Sequence, residues 1–157
     1  MREQDFIDLV TKHRGIVEKI IFFYATNEQD RQDLRQEVYL QAWKSVKSFK
    51  GSSQFSTWLY RVALNTSLGF TRKKRVDTLP LEQAYFQKSN TVNHAEEVEL
   101  LIGAIRQLNK IDRMIMILHL EDYTHEEIAA ITGMTKNNVT VRLHRQKEKL
   151  KDMLNAR

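Results

Sequence analysis

The stretch Tyr123–Lys151, YTHEEIAAITGMTKNNVTVRLHRQKEKLK, constrains the fold more than any other part of this chain. Thr124 followed three residues later by Glu127 is a capping box, in which the hydroxyl and the carboxylate each satisfy an orphan N–H. Ile128, Ala129 and Ile131 form the apolar side of a short helix ending near Gly133, a residue free to take positive φ at the turn. Thr135 is the N-cap expected for the next helix, with Val139 and Leu143 four apart and facing inward. That spacing leaves Lys136, Asn137, Asn138, Thr140, Arg142 and Arg145 to face outward. Side chains of these types hydrogen-bond base edges and phosphates in a major groove. The pattern is a helix-turn-helix.

Charge sharpens this expectation. Between Glu96 and Met134 eight acidic residues stand against three basic ones, whereas from Thr135 onward seven basic residues stand against two acidic ones. Phosphates repel the first part and attract the last helix, which orients the unit on a duplex. The whole chain carries +5 with a pI near 9.5, which permits nucleic-acid binding without requiring it.

With 157 residues, five glycines, one proline and no regular alternation of β-branched residues, the chain is expected to be all-α. Two small helical domains are predicted, 1–76 and 95–157, joined by a flexible linker at 77–94 that holds the lone proline and a short helical turn around Leu81–Phe86. In the second domain Val98, Leu101, Ile102, Ile105 and Leu108 are read as one apolar stripe, and Met114–Leu120 as a buried helix. No cysteine is present, so no disulfide or thiolate metal site forms. No signal-peptide core or membrane-length apolar run occurs, and a cytoplasmic location without membrane insertion is expected.

An enzymatic role finds little support. The five histidines make no metal pair at i, i+4, and His125-Glu126-Glu127 lacks the second histidine of the metalloprotease pattern; His125 reads as an exposed residue of a helix's first turn. No phosphate-cradling glycine motif occurs. No catalytic residue, metal or cofactor is predicted.

In the first half, Asp33–Trp43 (DLRQEVYLQAW), Phe49–Asn65 (FKGSSQFSTWLYRVALN) and Thr71–Arg75 (TRKKR) form a second constellation. Leu34, Val38 and Ala42 line one helix face, extended by Trp43. Gly51-Ser52-Ser53 breaks the pattern, and Phe55, Trp58, Leu59, Val62 and Ala63 resume it. Rings around a polar loop with cations beyond suit single-stranded nucleic acid. Trp43, Phe55 and Trp58 read better as core than as stacking platforms.

These blocks, in this order and followed by the helix-turn-helix, resemble bacterial sigma factors of the extracytoplasmic-function class in the sigma-70 family, over nearly the whole chain except the linker. The resemblance implies a transcription initiation factor that binds core RNA polymerase, recognises promoter DNA at −35 and −10 elements, and opens the duplex at −10. Asp33, Gln36, Glu37 and Trp43 match the family's contact with the β′ clamp helices, Trp43 as support from the core. Phe49, Gly51, Ser52, Ser53, Gln54 and Asn65 match the pocket for a base flipped from the melted non-template strand, which recovers its unstacking cost by stacking and edge hydrogen bonds. Arg61, Arg72, Lys73, Lys74 and Arg75 would hold nearby phosphates. Lys136, Asn137, Asn138, Thr140, Arg142 and Arg145 would read and anchor duplex DNA at −35, with Arg142 and Arg145 at recurrent basic positions of the family. The start of the second domain would meet the β flap, and an anti-sigma factor is an expected partner. Asn109 replaces a common proline as a helix-cap variation. Gly69 departs from a polar side chain and weakens its helix by about 1 kcal/mol relative to alanine. The alternative is a stand-alone helix-turn-helix regulator acting without polymerase.

Overall fold

The computed structural model describes the backbone of residues 1–73 and 94–156 and the side chains of 1–70 and 95–156. The linker expected at 77–94 lies outside the described residues up to position 93, as do Lys74, Arg75 and the turn at Leu81–Phe86, and so do the side chains of Arg72 and Lys73. The described residues contain helices and no strand. The chain divides into two compact units, Met1–Asp77 and Thr78–Arg157.

The first unit is built from α1 (Glu3–Lys12), α2 (Arg14–Tyr24), α3 (Glu28–Ser45), a 3-10 turn at Val46–Ser48 and α4 (Phe55–Lys73). Asn27 starts α3 by accepting from the Asp30 N–H at 2.8 Å. Leu34, Val38 and Ala42, spaced four apart, are fully buried along one line of α3. They pack with Val17, Ile20 and Ile21 of α2 and with Leu59, Ala63 and Leu64 of α4, all 0–1% exposed. Each such aliphatic side chain contributes about 1.5–3 kcal/mol relative to exposure. Ser67 is buried in the same interior because its hydroxyl donates to the Ala63 carbonyl at 2.8 Å. Across the rim, Arg35 donates two parallel bonds to Glu18, at 2.8 and 2.9 Å, joining α2 to α3.

Trp43 departs from its expected place. It is 44% exposed, one step of about 100° round the helix from Ala42, and the Phe6 ring of α1 lies against it, with ring centroids 5.0 Å apart. Phe55 and Trp58, by contrast, are buried.

The second unit consists of α5 (His94–Gln107), α6 (Lys110–Leu120), α7 (His125–Thr132) and α8 (Lys136–Asn155), with α8 packed on the other three. Asn109 caps α6 through the Asp112 N–H at 2.9 Å, as expected of a cap variation. Met114 to Leu118 are all buried, the two methionines as core filler, while Leu120 at the helix end is exposed. The stripe expected on α5 is shifted. Val98 is 45% exposed, and the buried line is Leu100, Ala104, Ile105 and Leu108. Gly103 and Ala104 are small residues on the buried face, so a stripe read from large apolar side chains misassigned its phase.

Candidate nucleic-acid interface

Each local device expected of the helix-turn-helix is formed. Thr124 accepts from the Glu127 N–H at 3.1 Å while Glu127 accepts from the Thr124 N–H at 2.8 Å. Gly133 closes α7 at φ 77°, a conformation that costs a side-chain-bearing residue energy. Thr135 then caps α8 by accepting from the Asn138 N–H at 3.1 Å. Val139 and Leu143 are buried, which turns Lys136, Asn137, Asn138, Thr140 and Arg145 to solvent.

Two cross-links join the helices of the motif on this exposed side. Lys136 pairs with Glu126 at 2.6 Å, and that hydrogen bond is the main reason the Glu126 carboxyl lies below its ordinary range. The His125 ring nitrogen Nδ1 meets the Thr140 hydroxyl at 2.8 Å, and that hydroxyl also donates to the Lys136 carbonyl at 3.0 Å. The hydroxyl hydrogen is thereby committed, so Nδ1–H is the donor toward Thr140. His125 is thus half-buried and bonded rather than simply exposed in its first turn. It was not legible as a member of this face, because its partner is 15 residues away.

Arg142 also departs from expectation. Its guanidinium turns inward, donating to Asp112 Oδ1 at 3.0 Å, with its Nε 3.3 Å from Asn138 Oδ1. Asp112 is 4% exposed, at the start of α6. The physical reason is electrostatic: a carboxylate withdrawn from water draws the nearest guanidinium to it.

In the first unit, Phe49, Phe55 and Trp58 form a ring cluster, centroids 5.3–5.6 Å apart, and Phe49 and Phe55 bracket the loop at 50–54 in the chain. Gly51 turns that loop at φ 76°. Gly51, Ser52 and Gln54 are exposed and Ser53 half-buried, and Arg61 is exposed farther along α4. A groove of about 600 Å³ lies between α3 and α4. Asp33, Gln36 and Glu37 line one wall and Asn65, Thr66, Gly69 and Phe70 the other, with Leu40 and Gln41 completing it. Asn65 therefore shares a groove with the three polar residues of α3, whereas Phe49 does not line it. Thr66, Phe70 and Leu40 were missed by sequence reasoning, although each lies one helical step from a residue that was singled out. Helix α4 runs unbroken through Gly69, where an added Cβ would meet nothing within 4 Å.

Among the described residues no group of three or more His, Cys, Asp or Glu side chains could hold a metal ion. No helix among them is long and apolar enough to cross a membrane.

Comparison with known proteins gives this architecture its family. Residues 9–76 match the family model Sigma-70 region 2, and residues 99–150 match Sigma-70, region 4. The chain belongs to the sigma-70 family of transcription initiation factors. Within it, the chain is a factor of the extracytoplasmic-function class. It is 27% identical over 140 residues to RNA polymerase sigma factor SigV of Bacillus subtilis, covering 88% of this chain and 84% of that protein. It is likewise 27% identical over 169 residues to ECF RNA polymerase sigma factor SigW of the same organism, covering 97% and 90%. Among solved structures, the sigma factor RpoE in complex with the anti-sigma factor NepR from Bartonella quintana shares the fold, with a TM-score of 0.74 at 21% identity over 97% of this chain and 98% of that one.

Proposed function

We propose that this sigma factor binds core RNA polymerase in the cytoplasm, directs it to promoters carrying −35 and −10 elements, and assists strand opening at −10. The observation that carries this reading is the exposed face of α8, where Lys136, Asn137, Asn138, Thr140 and Arg145 stand outward on a helix capped at Thr135 and backed by Val139 and Leu143. Such a face fits the major groove, with amide side chains suited to base edges and cations suited to phosphates. The 50–54 loop, bracketed by the packed rings of Phe49 and Phe55 and with Arg61 and Arg72–Arg75 farther along the chain, is suited to the melted non-template strand. Asp33, Gln36, Glu37 and Trp43 on α3 are the surface assigned to the β′ clamp helices, and the start of the second unit is assigned to the β flap. The domains are taken as 1–76 and 95–157. An anti-sigma factor is a further expected partner, supported by the complex in which the structural neighbour was solved.

The test is transcription in vitro from a library of random promoter fragments, using purified core polymerase with and without the protein. Transcripts that appear only on its addition and share two spaced upstream elements are the expected result. Tight operator binding without polymerase, and no new transcripts, would replace this reading with the stand-alone regulator.

A further inference from the structure

Three side chains converge on the carboxylate of Asp112. Arg142 donates to Oδ1 at 3.0 Å, Gln146 donates through Nε2 to Oδ2 at 2.9 Å, and Asn109 donates through Nδ2 to Oδ2 at 2.6 Å. Asp112's own N–H is bonded to Asn109 Oδ1 at 2.9 Å. The carboxylate is 6% exposed, whereas the Arg142 side chain keeps 34% of its surface in water. Arg142 and Gln146 lie one turn apart on α8, between the buried line of Val139 and Leu143 and the exposed face at Asn138 and Arg145.

We propose that Asp112, Arg142 and Gln146 form a clamp that sets the rotation of the recognition helix, so that Arg142 acts as a positioning residue for −35 discrimination rather than as a phosphate contact. With the −35 role proposed above as its premise, the clamp deepens that role by separating the residues that aim α8 from those that touch DNA. Apolar packing through Val139, Leu143 and Leu150 is non-directional and does not by itself specify one rotation of the helix. Hydrogen bonds to a fixed carboxylate are directional, and Asp112 is fixed by the Asn109 cap at the start of α6. The reading side chains stand about 5–6 Å from the helix axis, so a rotation of about 20° would carry their tips by ~2 Å. That exceeds the tolerance of roughly 0.5 Å within which a recognition constellation must be held. Asn138 is coupled directly, because its Oδ1 lies 3.3 Å from Arg142 Nε. A base-facing amide, a guanidinium and a buried carboxylate thus form one chain from the DNA face to α6.

The experiment uses the full chain assembled with core polymerase, binding a promoter fragment with its −35 element intact or shuffled, over a series of salt concentrations. The ratio of the two affinities does not depend on how much protein is correctly folded, so simple destabilisation leaves it unmoved. Asp112→Asn and Arg142→Ala should each reduce that ratio about five- to tenfold, and the double variant should lose little more than either alone. Their log–log salt slopes should match the unsubstituted chain, whereas Arg145→Ala should make the slope shallower by about 0.9. Arg142→Lys should fail to restore the ratio, since an ammonium cannot reproduce the directed guanidinium fork. A slope made shallower by Arg142→Ala and recovered by Arg142→Lys, with Asp112→Asn unchanged in ratio, would make Arg142 a phosphate contact and overturn the clamp. An unsubstituted holoenzyme that makes no distinction between intact and shuffled elements would instead overturn the −35 role itself, and the clamp with it.

Discussion

The recognition helix of the second unit and the 50–54 loop of the first are held by different forces. Directed polar bonds tie α8 down at three levels: the Thr135 cap, the Lys136–Glu126 and Thr140–His125 cross-links, and the Asp112 carboxylate. The loop is bracketed in the chain by Phe49 and Phe55, whose rings pack against each other and against Trp58. Hydrogen bonds fix an angle, which would suit the duplex reading proposed for α8. Ring packing holds the two ends of the loop together without directing the polar groups between them, which would suit the single strand proposed for this loop.

Four perturbations would break or sharpen that contrast. The largest effect is expected from Trp58→Ala, which removes the ring touching both Phe49 and Phe55 and should cost the first unit about 3–5 kcal/mol. Amide exchange under increasing urea would resolve the two units, and an equal loss in both would dissolve the distinction. Next is Gly133→Ala, where φ 77° imposes a left-handed conformation that costs alanine about 1–2 kcal/mol. The loss should fall on the second unit and on −35 binding together. Thr124→Ala, which removes one half of the capping box, should cost about 1 kcal/mol in thermal unfolding of the second unit, while Thr124→Ser should be nearly neutral.

The smallest effects are those of pH, and they separate the units by window. Burial, with the nearby Lys147 and His125 charges, holds His119 below its ordinary value of 6.5. The folded second unit therefore binds fewer protons there than the unfolded chain. Its contribution is full above 6.5 and drains as pH falls through 6.5 toward the lowered value. In the first unit the hydrogen bonds from Arg35 hold Glu18 below 4.5. That contribution persists above 4.5 and is lost only as pH falls through the lower folded value. Acidification followed by unit-resolved amide exchange should loosen the second unit first, and the reverse order would contradict these assignments.

The parts legible in the sequence are those whose physics is local. Thr124 with Glu127, Gly133 with Ala129, Thr135 with Asn138, and Val139 with Leu143 are each pairs three or four residues apart, and each has the geometry expected of it. The α3 stripe of Leu34, Val38 and Ala42 was readable for the same reason. What escaped depends on partners distant in the chain. Arg142 turns inward because of Asp112, 30 residues earlier, and His125 is drawn to Thr140 across the turn. Trp43 stays exposed although the Phe6 ring of α1 lies beside it, and periodicity cannot say how much cover a neighbouring helix supplies. The phase of α5 was misjudged because small residues, Gly103 and Ala104, mark the buried face as much as large ones do.

Both tryptophans of the chain lie in the first unit, Trp58 inside the ring cluster at 7% exposure and Trp43 on the surface at 44%. Intrinsic indole emission is therefore a spectroscopic window on that unit alone, with the second unit dark. The two emitters differ in hydration, so quenching by iodide will separate them without a label. Any macromolecule seated over Trp43 will shield it from the quencher and shift its spectrum toward the blue, giving the α3 surface an optical readout of occupancy built into the natural sequence.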